Sequence, residues 1–280
     1  MPRTILVTGC SSGIGLCAAH TLRERGWRVF ASARQLRDVE KLHADGFDAL
    51  WLDLDDSQSI HAAIDILLTR TGGRLDALFN NGAWGLPGAV EDLSRDALRA
   101  QFETNLFGWV ELTNRLIPLM RQQGHGRIVQ CSSVLGFAAL PYRGAYTASK
   151  FALEGLSDTL RMELRGSGIH LSLIEPGPIE TRFRANSYLA LTRWIQTTGS
   201  VHEAQYKKQL VRLQKEGAAA PFTLPPEAVV AKLIHALESP RPRLRYRVTV
   251  PTIAFAWLKR LLPGRWMDAV LLRASGGGKH

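Results

Sequence analysis

Short apolar runs alternate with longer amphipathic stretches from Thr4 to about Thr181, and this alternation leaves few architectures open. The strand-like runs are residues 4–7, 28–31, 49–52, 77–79, 127–131 and 170–174. Most are rich in leucine and β-branched residues and are bounded by Gly, Asn, Asp or Ser, as strands buried on both faces are. Between them lie helical patterns, including 16–25, 57–70, 95–122 and 145–166. Such alternation implies one α/β domain: a Rossmann-like, doubly wound parallel sheet with helices on both faces. Ligands of such sheets bind beyond the carboxyl ends of the strands. Gly9, Asp53, Asn81, Ser133 and Pro176 fall there, after the first, third, fourth, fifth and sixth runs.

Beyond Thr181 the alternation stops. Residues 182–226 read as a helical and loop-like region that supplies a substrate loop, with Tyr188, Leu191, Trp194 and Tyr206 among its apolar groups. A helix over 226–237 opens on two prolines and a glutamate, a sound N-terminal signal. An arginine-rich strand candidate, 244–250, completes a domain over 1–250, and 251–280 form a basic, Trp-containing extension.

With 45 % hydrophobic and 21 % charged residues, the 280-residue chain buries a substantial core, so it is a globular protein. The stretch 250–262 is interrupted by Lys259 and Arg260 and is too short to span a bilayer. No signal peptide is read before residue 4, and Cys10, Cys17 and Cys131 lack metal-ligand spacing. Reduced thiols in a cytoplasmic protein are expected, with no metal. The net charge of +10 is concentrated toward the C-terminus and accompanies no nucleic-acid motif, so a basic surface patch is expected rather than a nucleic-acid partner.

The turn Thr8-Gly9-Cys10-Ser11-Ser12-Gly13-Ile14-Gly15 follows the first strand and opens the first helix. Its glycines let the backbone turn sharply and approach a pyrophosphate at the helix N-terminus, which favours a dinucleotide. The second strand ends at Arg34, 19 residues beyond Gly15. An acid there would hold the ribose 2′-hydroxyl, whereas arginine accommodates a 2′-phosphate, so NADP(H) is the expected cofactor. Asn81 ends the fourth strand, and Asn105 interrupts a helical pattern in which asparagine is disfavoured. Tyr146 and Lys150 stand four residues apart, one helical turn on one face, with Ser133 thirteen residues earlier. A neighbouring ammonium lowers a phenol pKa that starts near ~10, which makes Tyr146 a usable general acid.

Taken together, Gly9, Gly13, Gly15, Asp53, Asn81, Asn105, Ser133, Tyr146, Lys150 and Pro176-Gly177 resemble the ordered signature of the short-chain dehydrogenase/reductase family. The resemblance implies hydride transfer between a nicotinamide and a carbonyl or alcohol. It makes Tyr146 the proton donor or acceptor and gives Lys150 the tuning of that phenol and a bond to the nicotinamide ribose. Ser133 is then bonded to the substrate oxygen, and Asn105 orients a relay water. It also places Ser11, Ser12 and Ile14 in the phosphate turn, Asp53 at adenine, and Ile179 and Thr181 at the carboxamide. Where the family usually has Asn-Asn-Ala-Gly, this chain has Asn80-Asn81-Gly82-Ala83, moving one methyl, which would tighten the adenosine side.

Further stretches, 173–179 and 258–265, resemble a bacterial branch of broad-specificity NADP-dependent aldehyde reductases, in turn similar to retinol and 17β-hydroxysteroid dehydrogenases. That implies a hydrophobic aldehyde or ketone. A retinol- or steroid-type alcohol dehydrogenase and a non-catalytic NADP-sensing regulator are the alternatives. Family members are often dimers or tetramers, so a homodimer or homotetramer is expected. The segment 251–280 fits either a basic interfacial helix broken near Pro263, with peripheral contact at the inner face of a membrane, or packing on the protein.

Overall fold

The six apolar runs become six parallel strands, and the arginine-rich segment adds a seventh at one edge. The computed structural model describes residues 2–215, 217 and 220–275. The tail Gly276-Gly277-Gly278 and Lys279 therefore lie outside the described residues. In chain order the elements begin β1 (Thr4–Val7), α1 (Gly13–Glu24), β2 (Arg28–Ala33), α2 (Leu36–Ala44), β3 (Asp48–Trp51) and α3 (Ser57–Thr71). They continue with β4 (Ala77–Asn80), α4 (Arg95–Phe102), α5 (Gly108–Gln123), β5 (Gly126–Cys131), α6 (Gly144–Glu163) and β6 (Ile169–Glu175). The last part holds α7 (Phe183–Trp194), α8 (Glu203–Gln214), α9 (Glu227–Glu238), β7 (Arg245–Arg247), α10 (Val250–Leu261) and α11 (Gly264–Ala274).

The described residues form a seven-stranded sheet in the order β3-β2-β1-β4-β5-β6-β7. It grows outward from β1 in one direction and from β4 in the other, so the strand order reverses between these two neighbours. That reversal opens the crevice in which such sheets hold ligands. Register brings the strand ends level: Val7 pairs with Ala31 and Phe79, Phe79 with Val129, and Val129 with Ser172. Ile5, Leu6, Phe30, Leu78, Phe79 and Ile128 are fully buried beneath the crevice. Burying each large side chain stabilises the fold by roughly 1.5–3 kcal/mol, which fixes the strand ends that carry the site.

Three elements differ from the sequence expectation. The helix expected over 95–122 is divided into α4 and α5 by a π-helical turn, Glu103–Phe107. The strand candidate 244–250 is cut to three residues, because Pro251 near the start of α10 suits a first helical turn and cannot donate to a ladder. Helix α2, not among the helical patterns named from the sequence, is nine residues long and fully buries only Leu42.

Candidate active site

Thr8 and Asn81 tie the two sides of the crevice together. The Thr8 hydroxyl accepts from the main-chain N–H of Asn81 and of Gly82, both at 2.9 Å, and Asn81 Nδ2 donates to the Thr8 carbonyl at 3.0 Å. Gly9 (φ 73°) takes the left-handed turn between β1 and α1. A Cβ at Gly15 would lie 2.2 Å from the Gly9 carbonyl oxygen, so the first turn of α1 closes onto the strand end only with glycine. Ser12, at the N-cap of α1, makes no side-chain capping bond, and no acid lies in the first turn. The uncapped N–H groups meet a cleft of about 440 Å³ lined by Gly9, Ser11, Ser12, Gly13 and Ile14. An unneutralised helix N-terminus at a glycine turn fits the pyrophosphate of a dinucleotide. A Cβ at Gly82 would approach Gly9 N to 3.3 Å, so the moved methyl relieves the contact between the strand ends rather than tightening it.

The same cleft is lined by Ser133, Tyr146, Lys150, Pro176, Gly177, Ile179 and Thr181. Ser133 follows β5 and accepts the Leu135 N–H at 3.1 Å, which orients its hydroxyl at the start of a tight turn. Tyr146 and Lys150 lie one turn apart on α6, as their spacing requires. Lys150 Nζ donates to the Cys131 carbonyl at 2.8 Å and lies 4.1 Å from the Trp109 ring centre and 5.8 Å from that of Tyr146. Burial pushes the Lys150 ammonium down to about 8. Burial also raises the Tyr146 phenol above its ordinary range, with Cys131 acting in the same direction and the Ser133 hydroxyl opposing. The expected lowering of the phenol by Lys150 is thus outweighed by desolvation, because the ammonium is held by Cys131 and Trp109 instead. A phenol kept protonated is a proton donor throughout the neutral range, and an alkoxide is a far stronger base.

Other expected residues lie around this cleft. Asn105 is fully buried in the π-helical turn, with Oδ1 accepting from Trp84 N at 3.1 Å and Nδ2 donating to Trp84 O at 2.8 Å. Its side chain holds the strand-β4 loop and does not line the cleft. Arg34 and Asp53 follow the paired strands β2 and β3, also outside the cleft lining. Asp53 Oδ1 accepts from Asp55 N at 3.2 Å. Burial raises the Asp55 carboxyl, with Asp53 adding to the rise and Thr104 and Arg34 opposing it, so these charges share one corner.

Several residues that shape the site carry no signature in the sequence. Phe183 of α7 stands edge-on to Tyr146, ring centres 5.3 Å apart. Behind the Pro176 turn, buried Glu175 pairs with Arg245 at 3.1 Å and Arg247 at 3.2 Å, while Arg245 also reaches Glu154 and Asp158. Burial pushes Glu175 up to about 7, with Glu154 adding to the rise and the two arginines opposing it.

Residues 3–191 match the short chain dehydrogenase family. Among curated proteins, the chain is 47 % identical over 271 residues to the uncharacterized oxidoreductase YbbO of Escherichia coli K12, covering 97 % of this chain and 94 % of that one. It is 35 % identical over 266 residues to human 17-beta-hydroxysteroid dehydrogenase type 1, covering 89 % and 78 % respectively. A solved short-chain dehydrogenase from Streptomyces avermitilis superposes with a TM-score of 0.77 at 26 % identity, over 100 % of this chain and 98 % of the other. On sequence, fold and cleft alike, the chain belongs to the short-chain dehydrogenase family, oxidoreductases built to bind a nicotinamide cofactor.

Proposed function

We propose that the protein is an NADPH-dependent reductase of hydrophobic aldehydes or ketones. The observation that carries this reading is one cleft lined by the phosphate turn, by Ser133, Tyr146 and Lys150, and by apolar Leu86, Leu135, Leu140 and Phe183. Reduced nicotinamide, when bound, supplies hydride to the carbonyl carbon. Ser133 and Tyr146 hydrogen-bond the carbonyl oxygen, and these bonds strengthen as negative charge grows there, which lowers the barrier. Tyr146 then gives its proton to the alkoxide, and the Lys150 ammonium offsets the phenolate left behind. Asn105 supports the relay from behind by fixing the Trp84 loop. Ile179 and Thr181 hold the carboxamide end, while Asp53 serves the adenosine side. Arg34, exposed where β2 ends, takes the 2′-phosphate.

Steady-state reduction of an aldehyde and ketone panel with NADPH and NADH tests each part. Wild type is expected to favour NADPH and longer apolar chains, and Tyr146→Phe to lose at least ~100-fold in kcat with little change in cofactor affinity. A Tyr146→Phe protein that keeps its rate refutes the mechanism, and a preference for NADH refutes the role of Arg34. Retinal and steroid ketones belong in the panel, since the human relatives include a 17-beta-hydroxysteroid dehydrogenase and a retinol dehydrogenase.

Two features support an assembly and a location. Phe107, Phe151, Leu156 and Met162 are exposed on the helices near Asn105 and Tyr146, a face suited to a homodimer or homotetramer. Helices α10 and α11 turn Met267 and Leu271 inward against Ala138 and expose Ile253, Trp257, Leu261, Trp266 and Leu272. With Lys259, Arg260, Arg265 and Arg273 nearby, that outer face suits peripheral contact with an anionic membrane. Among the described residues no helix is long and apolar enough to cross one.

A further inference from the structure

Four arginines line the cleft, Arg143, Arg182, Arg184 and Arg212, and the reductase chemistry uses none of them. Arg143 is the N-cap residue of α6, three positions before Tyr146, and Arg212 comes from the last turn of α8. Both donate to one oxygen: Gln209 Oε1 accepts from Arg143 Nη2 at 3.4 Å and from Arg212 Nε at 3.2 Å. Arg143 Nη1 also donates to the Tyr142 carbonyl at 2.8 Å. Among the described residues neither arginine has a carboxylate within ion-pair distance. Arg28, Arg245 and Arg247, by contrast, all do.

Two cations gathered on one amide oxygen repel each other, and that arrangement becomes favourable when an anion joins them. The surroundings desolvate Arg212 enough to hold its guanidinium below its ordinary value, although the side chain is open to water, as befits a group in the mouth of a wide cleft. The sole carboxylate among the lining residues, Glu180, belongs to the side shared with Gly13 and Thr181. Arg182 and Arg184 line that side too, and Arg184 donates to the Gly217 carbonyl. Neither Arg143 nor Arg212 is bonded to the glycine-rich turn; both are bonded to α8.

We infer that the cleft takes oxo acids: carbonyl compounds whose far end is a carboxylate, held by Arg143 and Arg212 while the carbonyl meets Ser133 and Tyr146. The inference rests on the reductase reading and narrows its substrate class. The carbonyl carbon gains hydride from the reduced cofactor and its oxygen gains the Tyr146 proton, giving a hydroxy acid and oxidised cofactor. Bulk solvent returns the proton to Tyr146. Arg143, Arg212 and Tyr146 line one cleft, so a single substrate can present its carbonyl to the phenol and its carboxylate to the arginines.

The test compares kcat/KM for 8-oxooctanoate and octanal, with NADPH, in wild type, Arg143→Gln, Arg212→Gln and Arg212→Lys. Wild type is expected to prefer the oxo acid. The preference ratio should fall by roughly 10- to 100-fold in each Gln variant, the usual worth of charge-assisted hydrogen bonds, and recover in part with Lys. Calorimetric titration of octanoate against octanol reads the same site without turnover, and octanoate binding should weaken alongside the ratio. A wild-type ratio of one or less, or a ratio unmoved in both Gln variants, overturns the inference. If neither octanal nor 8-oxooctanoate is reduced, the reductase reading fails, and the octanoate titration alone decides the anion site.

Discussion

Lys150 carries an ammonium into the interior, 1 % exposed, with one carbonyl and one indole face as its compensation. A buried cation held so sparely costs stability, and an apolar group of similar volume in its place removes that cost. The folded chain releases this proton near 8, whereas an unfolded lysine keeps it to about 10.4. Between those values the unfolded state binds more protons, so stability rises with pH across the window. Below it the penalty is complete and on the order of 3 kcal/mol. Lys150→Met should therefore abolish reduction yet melt at a higher temperature than wild type at pH 7, the advantage narrowing by pH 10. Thermal melts at both pH values decide it; a lower Tm at pH 7 would show that the ammonium stabilises the fold. The free enzyme's kcat/KM for reduction should likewise fall above about pH 8, where Lys150 loses its charge.

Between α4 and α5 the π-helical turn presents Asn105 to Trp84, and Gly108 begins α5 directly under the β3–α3 connection. A Cβ at Gly108 would lie 2.0 Å from the Leu54 carbonyl oxygen. Gly108→Ala must then push α5 away from the turn that carries Asp53. Overpacking of this kind costs about 1–3 kcal/mol, a fall of several degrees in Tm, and KM for the cofactor should rise with it. An unchanged melt would mean that α5 has slack at this point. The strands and helices around these residues were legible because burial on one or both faces imposes a period on the sequence. The π turn was not: its one extra residue leaves the apolar pattern nearly intact, and only the misplaced Asn105 hinted at it. Ser133, Tyr146 and Lys150 were legible from spacing, since two share a helix and the third ends a strand. Arg143 and Gln209, by contrast, meet across 66 positions, and no local pattern encodes such a meeting.

For the whole molecule, the C-terminal hairpin of α10 and α11 has two faces with different duties. Its inner face, with Phe255, Leu258 and Leu262, packs on Val134, Phe137 and Leu140, two of which line the cleft, so it braces the substrate wall. Its outer face is the one we propose for contact with lipid. Replacing Trp257, Leu261 and Trp266 with serine should abolish sedimentation with phosphatidylglycerol vesicles at low salt, while phosphatidylcholine vesicles should bind neither protein well. Equal sedimentation of wild type and variant would assign the face to another partner. The pairing of β7 with β6 reaches beyond geometry into the timing of synthesis. Glu175 sits at the back of the site, and its partner Arg247 is made 72 residues later. At ribosomal speed that interval is roughly 4 to 14 s. Throughout it the nascent chain holds Glu154 and Glu175 without their cations, so the ion pairs behind the cleft can form only once β7 has been made.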